Sequence, residues 1–163
     1  MLPLRQLVPP LSIHAPDGRT LRAWDFKQKR SLVIAFLDAG CEPCADFLQR
    51  LSGHAPELRE KNVVAFAVFL ESPPILYESL SAGIFAGADF PGRGVRAFLG
   101  RDANCASGLR SRGIFVADRY GELFAQWIIP AHGFPPIAEI FSALSQIEIV
   151  CEECTHPGWF ESS

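Results

Sequence analysis

Two stretches of the chain are apolar at almost every position: "SLVIAFL" from Ser31 to Leu37 and "VVAFAVFL" from Val63 to Leu70. Runs this short, rich in β-branched and aromatic residues, suit strands buried on both faces. Between them the period changes. Cys44, Phe47, Leu48, Leu51, Ala55 and Leu58 recur at spacings of three and four, which is one apolar face of a helix. Gly53 and Pro56 bend or break that helix near its end. Residues 31 to 70 therefore read as one βαβ unit, with parallel strands, a right-handed crossover and covered sheet faces.

The flanks read differently. "LSIHAPDGRTLRAWDF" is a β-hairpin with Asp17-Gly18 at its turn, and "GIFVADRYGELFAQW" is a second hairpin turning at Asp118 to Gly121. Between Glu71 and Arg112, scattered glycines and prolines predict loops, with short helices around Ile75 to Ser81 and Gly94 to Leu99. The last element is a helix. Pro135 and Pro136 suit its start, and Ile137, Ile140, Phe141, Leu144 and Ile147 form its buried stripe. The order predicts an α/β protein: a central mixed β-sheet flanked by helices, with an N-terminal β-hairpin. Residues 1–150 form the domain, and 151–163 a polar tail carrying a second Cys-x-x-Cys.

A chain of 163 residues with 48% apolar and 20% charged positions fits one ordinary globular domain. A formal net charge of −3 without a long charge run predicts neither a nucleic-acid partner nor an anionic membrane surface. Pro3, Pro9 and Pro10 interrupt the N-terminal apolar residues, so neither a signal peptide nor a membrane span is expected. Five cysteines in a chain read as cytoplasmic point to reduced, catalytic or metal-binding thiols rather than a disulfide framework.

The first pair carries the chemistry. "LDAGCEPCADF" joins the buried strand to the helix, and its cysteines, Cys41 and Cys44, are three residues apart. Residues i and i+3 share one helix face, so these two can approach for a disulfide. The free N–H groups of a helix start favour negative charge, and Cys41 stands in that field. Its thiol is expected to titrate lower than usual, supplying thiolate near neutral pH. Glu42 acts in the opposite direction. Pro43 suits a first helical turn, and Cys44, the more buried thiol, can resolve a mixed disulfide from within. A Cys-x-x-Cys beside a βαβ pattern is a redox signal. Structural cysteines and a metal site are the alternatives.

With the hairpin "PDGRTLRAWDF", the segment "LVIAFLDAGCEPC" and "GIFVADRYGEL", the chain resembles the thioredoxin-like superfamily from about Leu11 to Ile149. It is most similar to the redoxin branch, which includes alkyl hydroperoxide reductase/thiol-specific antioxidant (AhpC/TSA) and TlpA-like proteins. The resemblance implies a thioredoxin-like fold and an oxidoreductase. It implies dithiol–disulfide exchange with Cys41 as nucleophile and Cys44 as resolving thiol, and a protein or small-molecule disulfide or thiol as partner. It implies no cofactor. Four features depart from the pattern. Gly40 stands where Trp usually precedes the first cysteine, and Ala35 where thioredoxins bury an Asp. Arg112 and Gly113 stand where a cis-proline is expected, and look like the Arg-Gly of peroxiredoxins, whose arginine holds the thiolate. The peroxidatic signature Pro-x-x-x-Thr/Ser-x-x-Cys fails: Ile34 and Asp38 precede Cys41 at its positions, and Leu37 and Cys41 precede Cys44. Peroxide reduction is therefore the second reading, with Arg112 as a third catalytic residue in either case. A non-catalytic metal-binding or redox-sensing module is the third.

That third reading would use Cys151, Cys154 and His156, which supply at most three zinc ligands; otherwise no metal is expected. The same pair could relay electrons to the first, with 106 residues lying between Cys44 and Cys151. Cys105 is read as having no role, His132 as a surface or capping residue, and His14 and His54 as lacking a carboxylate or cysteine nearby. Trp127 and Phe115 are read as sheet packing, and Asp118 and Gly121 as turn residues.

Overall fold

The computed structural model describes residues 2–70, 83–89, 92–100, 112–129 and 133–154, with the backbone alone at 150–154. The described strands are β1 (Ser12–His14), β2 (Thr20–Arg22), β3 (Ser31–Leu37), β4 (Val63–Phe69), β5 (Ile84–Ala88), β6 (Arg112–Ala117) and β7 (Leu123–Ile129). The helices are α1 (Glu42–Gly53), α2 (Ala55–Glu60), α3 (Arg93–Leu99) and α4 (Ile137–Cys154). The strands form one sheet in the order β2-β1-β5-β4-β3-β6-β7. β3, β4 and β5 are parallel, while β1, β2, β6 and β7 add antiparallel pairs at the two sides. The mixed sheet, both hairpins and the βαβ unit follow the sequence pattern.

β3 shows why its run is apolar at every position. Val33, Ala35 and Leu37 enter the core layer made by α1, α2 and α4. Leu32, Ile34 and Phe36 enter a second layer with Val8, Leu11 and α3. Side chains alternate along a strand, so only a strand covered on both sides is apolar throughout. In the second layer Phe36, Phe98 and Phe115 meet with ring centroids 5.0 to 5.8 Å apart. Burying one such side chain contributes about 1.5–3 kcal/mol.

The helical stripe also appears as the spacing predicts. Cys44, Phe47, Leu48 and Leu51 are buried on α1, which ends at Gly53, and Pro56 sits in the first turn of α2. The stripe of α4 is buried at Ile137, Ile140, Leu144 and Ile147, and Phe141 is half-buried. Among the described residues no helix is long and apolar enough to cross a membrane.

Three features that the sequence reading did not give have physical causes. First, residues 84–88 are a parallel strand rather than loop. Gly87 belongs to it because a Cβ there would lie 2.9 Å from the His14 carbonyl oxygen, where β1 crosses. A glycine inside a strand marks such close approach. Second, α3 is started from outside itself. The buried Asp89 carboxylate accepts hydrogen bonds from Gly94 N (3.1 Å) and Val95 N (2.7 Å). A Cβ at Gly94 would meet Leu11 Cδ1 at 2.6 Å and Asp89 Oδ2 at 3.0 Å, so a side chain there would have to shift to admit it. Third, α4 continues through Cys154, so the backbone of the second Cys-x-x-Cys is helical. The helix expected at Ile75 to Ser81 lies outside the described residues; the one expected at Gly94 to Leu99 is α3.

Candidate active site

Cys41 is the N-cap of α1. Its backbone is extended (φ −98°, ψ 113°), and its Sγ accepts a hydrogen bond from Cys44 N at 3.2 Å. Sulfur thus occupies the place where an N-cap oxygen would satisfy a free N–H of the first turn. One turn on, Cys44 brings its sulfur into disulfide contact, with the two Cα atoms 5.1 Å apart. Exposure separates the two: Cys44 is 1% exposed and packs into the core, whereas Cys41 is half-exposed at its edge.

Arg112 arrives by register. β6 pairs antiparallel with β3, with Phe36 opposite Gly113, so the start of β6 lies beside the end of β3 from which the Cys41 loop leaves. Its Nη1 donates to Cys41 Sγ at 2.7 Å and lies 3.7 Å from Cys44 Sγ. One guanidinium therefore touches both sulfurs across 71 residues of sequence. On its other side, Arg112 Nε is shut from solvent without a hydrogen-bond partner among the described residues, and Asp38 Oδ2 stands 3.9 Å away. That distance is too long for a hydrogen bond but is a charge contact. The Asp38 carbonyl also accepts from Cys41 N at 3.3 Å. Asp38 had stood out in the sequence only as a failed Thr/Ser position, and nothing local ties it to Arg112.

The departures find their places. Ala35 is buried on the same face as Cys44, so no carboxylate comes from that strand position. At Gly40 an added Cβ would meet nothing within 4 Å. Phe134, not singled out from sequence, stacks on Phe47 of α1 with centroids 5.2 Å apart.

The second cysteine pair is not brought to the first. α4 begins next to Phe134 and carries Glu148 to Lys61, 3.3 Å away, at the far end of the sheet where β3 and β4 begin. β3 alone advances roughly 20 Å between those ends. The backbone of Cys151 and Cys154 lies beyond Glu148, farther still from Cys41. Their side chains, together with Cys105, His132 and His156, lie outside the described residues, so the Cys151, Cys154, His156 set has no geometry here. Among the described residues no group of three or more metal-ligating side chains occurs. His14 contacts Thr20 Oγ1 at 3.3 Å. His54 corrects its reading: Nδ1 pairs with Glu57 Oε1 at 3.0 Å, a surface contact at i,i+3 that the spacing contains. Phe115 and Trp127 are packing residues. The Asp118 carboxylate accepts from Tyr120 N and Glu122 N within its own turn.

No protein-family model and no curated protein matches the chain. Solved structures do resemble it. The yeast mitochondrial 1-Cys peroxiredoxin superposes with a TM-score of 0.76 at 16% identity, over 94% of this chain and 79% of that one. The mitochondrial 2-Cys peroxiredoxin of Plasmodium falciparum gives 0.73 at 12%, over 94% and 99%. A Chlorobium tepidum protein assigned as the thiol:disulfide interchange protein DsbE gives 0.66 at 18%, over 88% and 99%. The likeness shows a thioredoxin-like fold, here with a Cys-x-x-Cys at the start of α1.

Proposed function

We propose that the protein is an oxidoreductase that exchanges thiols and disulfides through Cys41 and Cys44, with a protein or small-molecule disulfide or thiol as partner. The observation that carries this is the pair of sulfurs in disulfide contact at a helix N-terminus, one accessible and one buried, under a single guanidinium. In the reducing direction the Cys41 thiolate attacks one sulfur of a partner disulfide. The partner's S–S bond breaks, and its second sulfur leaves as thiolate and takes a proton. Cys44, deprotonated, then attacks Cys41 Sγ. The Cys41–Cys44 bond forms, and the remaining partner sulfur leaves as the second thiol. Two electrons and two protons pass to the partner, and the reverse steps oxidise a dithiol. Arg112 holds negative charge on Cys41 during attack and again when Cys41 leaves.

Arg112 also favours a second reading. A cation 2.7 Å from Cys41 Sγ suits a thiolate attacking a hydroperoxide. That attack would leave Cys41 as sulfenic acid and release an alcohol or water. Cys44 would then form the disulfide and release water. Exchange is preferred because the resolving thiol is one turn away in the same helix.

Turnover of an insulin-type disulfide tests the proposal. Cys41→Ser should abolish it, and Cys44→Ser should accumulate mixed disulfides. Full activity in both variants would end the reading. Hydroperoxide consumption, measured separately, decides whether the second reading adds to it.

A further inference from the structure

At the end of the sheet opposite Cys41, a pocket of about 120 Å³ opens between the start of β3, the turn before β4, the β6–β7 turn and α4. Its walls include Lys29, Ser31, Lys61, Asn62, Arg119 and Glu148. Three cations thus face one carboxylate. That carboxylate is already engaged, since Lys61 Nζ reaches Glu148 Oε2 at 3.3 Å and Ser145 Oγ at 3.0 Å. An ammonium has three donors, so Lys61 keeps one for a ligand. Lys29 forms no ion pair with a described residue, and its carbonyl, fastened by Asn62 Nδ2 at 2.6 Å, anchors its backbone at the rim. Arg119 Nε is shut from solvent with no hydrogen-bond partner among the described residues. Arg119 as a whole is half-buried, lies over the Tyr120 ring at 5.1 Å and also lines the neighbouring apolar pocket beside Trp24 and Leu32, so its shielded Nε is a donor left over beside the pocket rather than a fully buried charge.

We infer that this pocket binds a phosphate-type dianion, held by Arg119, Lys29 and Lys61. The excess of positive charge calls for more than one negative charge. Planar guanidinium donors favour phosphate oxygens, with Asn62 and Ser31 as neutral donors beside them. Space sets the size. A single water needs roughly 10–15 Å³ by the same measure, so the pocket admits a phosphate carrying a small organic substituent. A ligand here would join the β6–β7 turn to α4, far from the disulfide, so the site stands independently of the thiol chemistry.

The test is an amide-resolved NMR titration of the oxidised full-length protein with inorganic phosphate and with glycerol 3-phosphate, using malonate as a carboxylate dianion. The expected result is saturable shifts centred on Lys29, Asn62, Arg119 and Ile147, with either phosphate compound. Affinity should fall at least tenfold in Arg119→Gln and in Lys29→Gln, both checked for an unchanged melting temperature without ligand. Tighter binding of the ester than of inorganic phosphate would identify an organic phosphate as the occupant; the reverse order would identify the free ion. Non-saturating or scattered shifts, an affinity in both variants unchanged from that of the unsubstituted protein, or equally tight malonate would overturn the inference.

Discussion

Replacing Arg112 by Met removes the charge beside Cys41 while keeping an unbranched apolar stem. Two unit charges about 4 Å apart attract by about 4 kcal/mol at an effective dielectric near 20, and by about 1 kcal/mol in bulk water. The Arg112 side chain is 22% exposed, so the site lies between these limits. Asp38, 3.9 Å from Nε, opposes part of the effect. A net value near the lower end, about 1.4 kcal/mol, makes the thiolate about tenfold scarcer at neutral pH. The assay is iodoacetamide alkylation of Cys41 against pH, with the other four cysteines replaced by Ser. The variant should reach its reactive form at higher pH, with alkylation at pH 7 slowed severalfold; the fall is less than tenfold because a more basic thiolate is a better nucleophile. With Cys41 and Cys44 both present, the variant dithiol should also be the stronger reductant. The same 1.4 kcal/mol is about 30 mV for a two-electron couple. Matching pH profiles together with a potential unchanged within about 10 mV would refute the role given to Arg112.

Asp89→Ala deletes both hydrogen bonds that start α3 and should cost about 1–2 kcal/mol in urea unfolding, with thiol reactivity unchanged. Gly87→Ala drives a Cβ against the His14 carbonyl and should cost about 1–3 kcal/mol, read in the same unfolding assay. Amide exchange should show that loss centred on β1 and β2.

What could be read from the sequence was what is written in local spacing. β3, α1 and β4 are continuous or periodic runs, and their pattern needs no long-range contact to interpret. The hairpin turns carry their own chemistry in Asp17-Gly18 and Asp118 to Gly121. β5 was hidden because Gly87 answers to a strand about 75 residues earlier in the chain, and a glycine there looks like a loop until β1 is in place. Asp89 was hidden for a similar reason, since it caps a helix from outside. The site divides along the same line. Cys41 and Cys44 are adjacent turns of one element. Arg112 came into view only through a family resemblance, because its place depends on the β3–β6 register. The far position of Cys151 and Cys154 follows from the direction of α4, which spacing alone does not set.

The β3–β6 register also has a consequence for the order in which the protein is made. Cys41 and Cys44 leave the ribosome about 70 residues before Arg112. Until β6 docks beside β3, the helix start is the principal local feature favouring thiolate, and the guanidinium is absent. A nascent or truncated chain that lacks β6 carries both thiols without the guanidinium contact. On the role proposed for Arg112, the reactivity of Cys41 should rise only once β6 has docked beside β3.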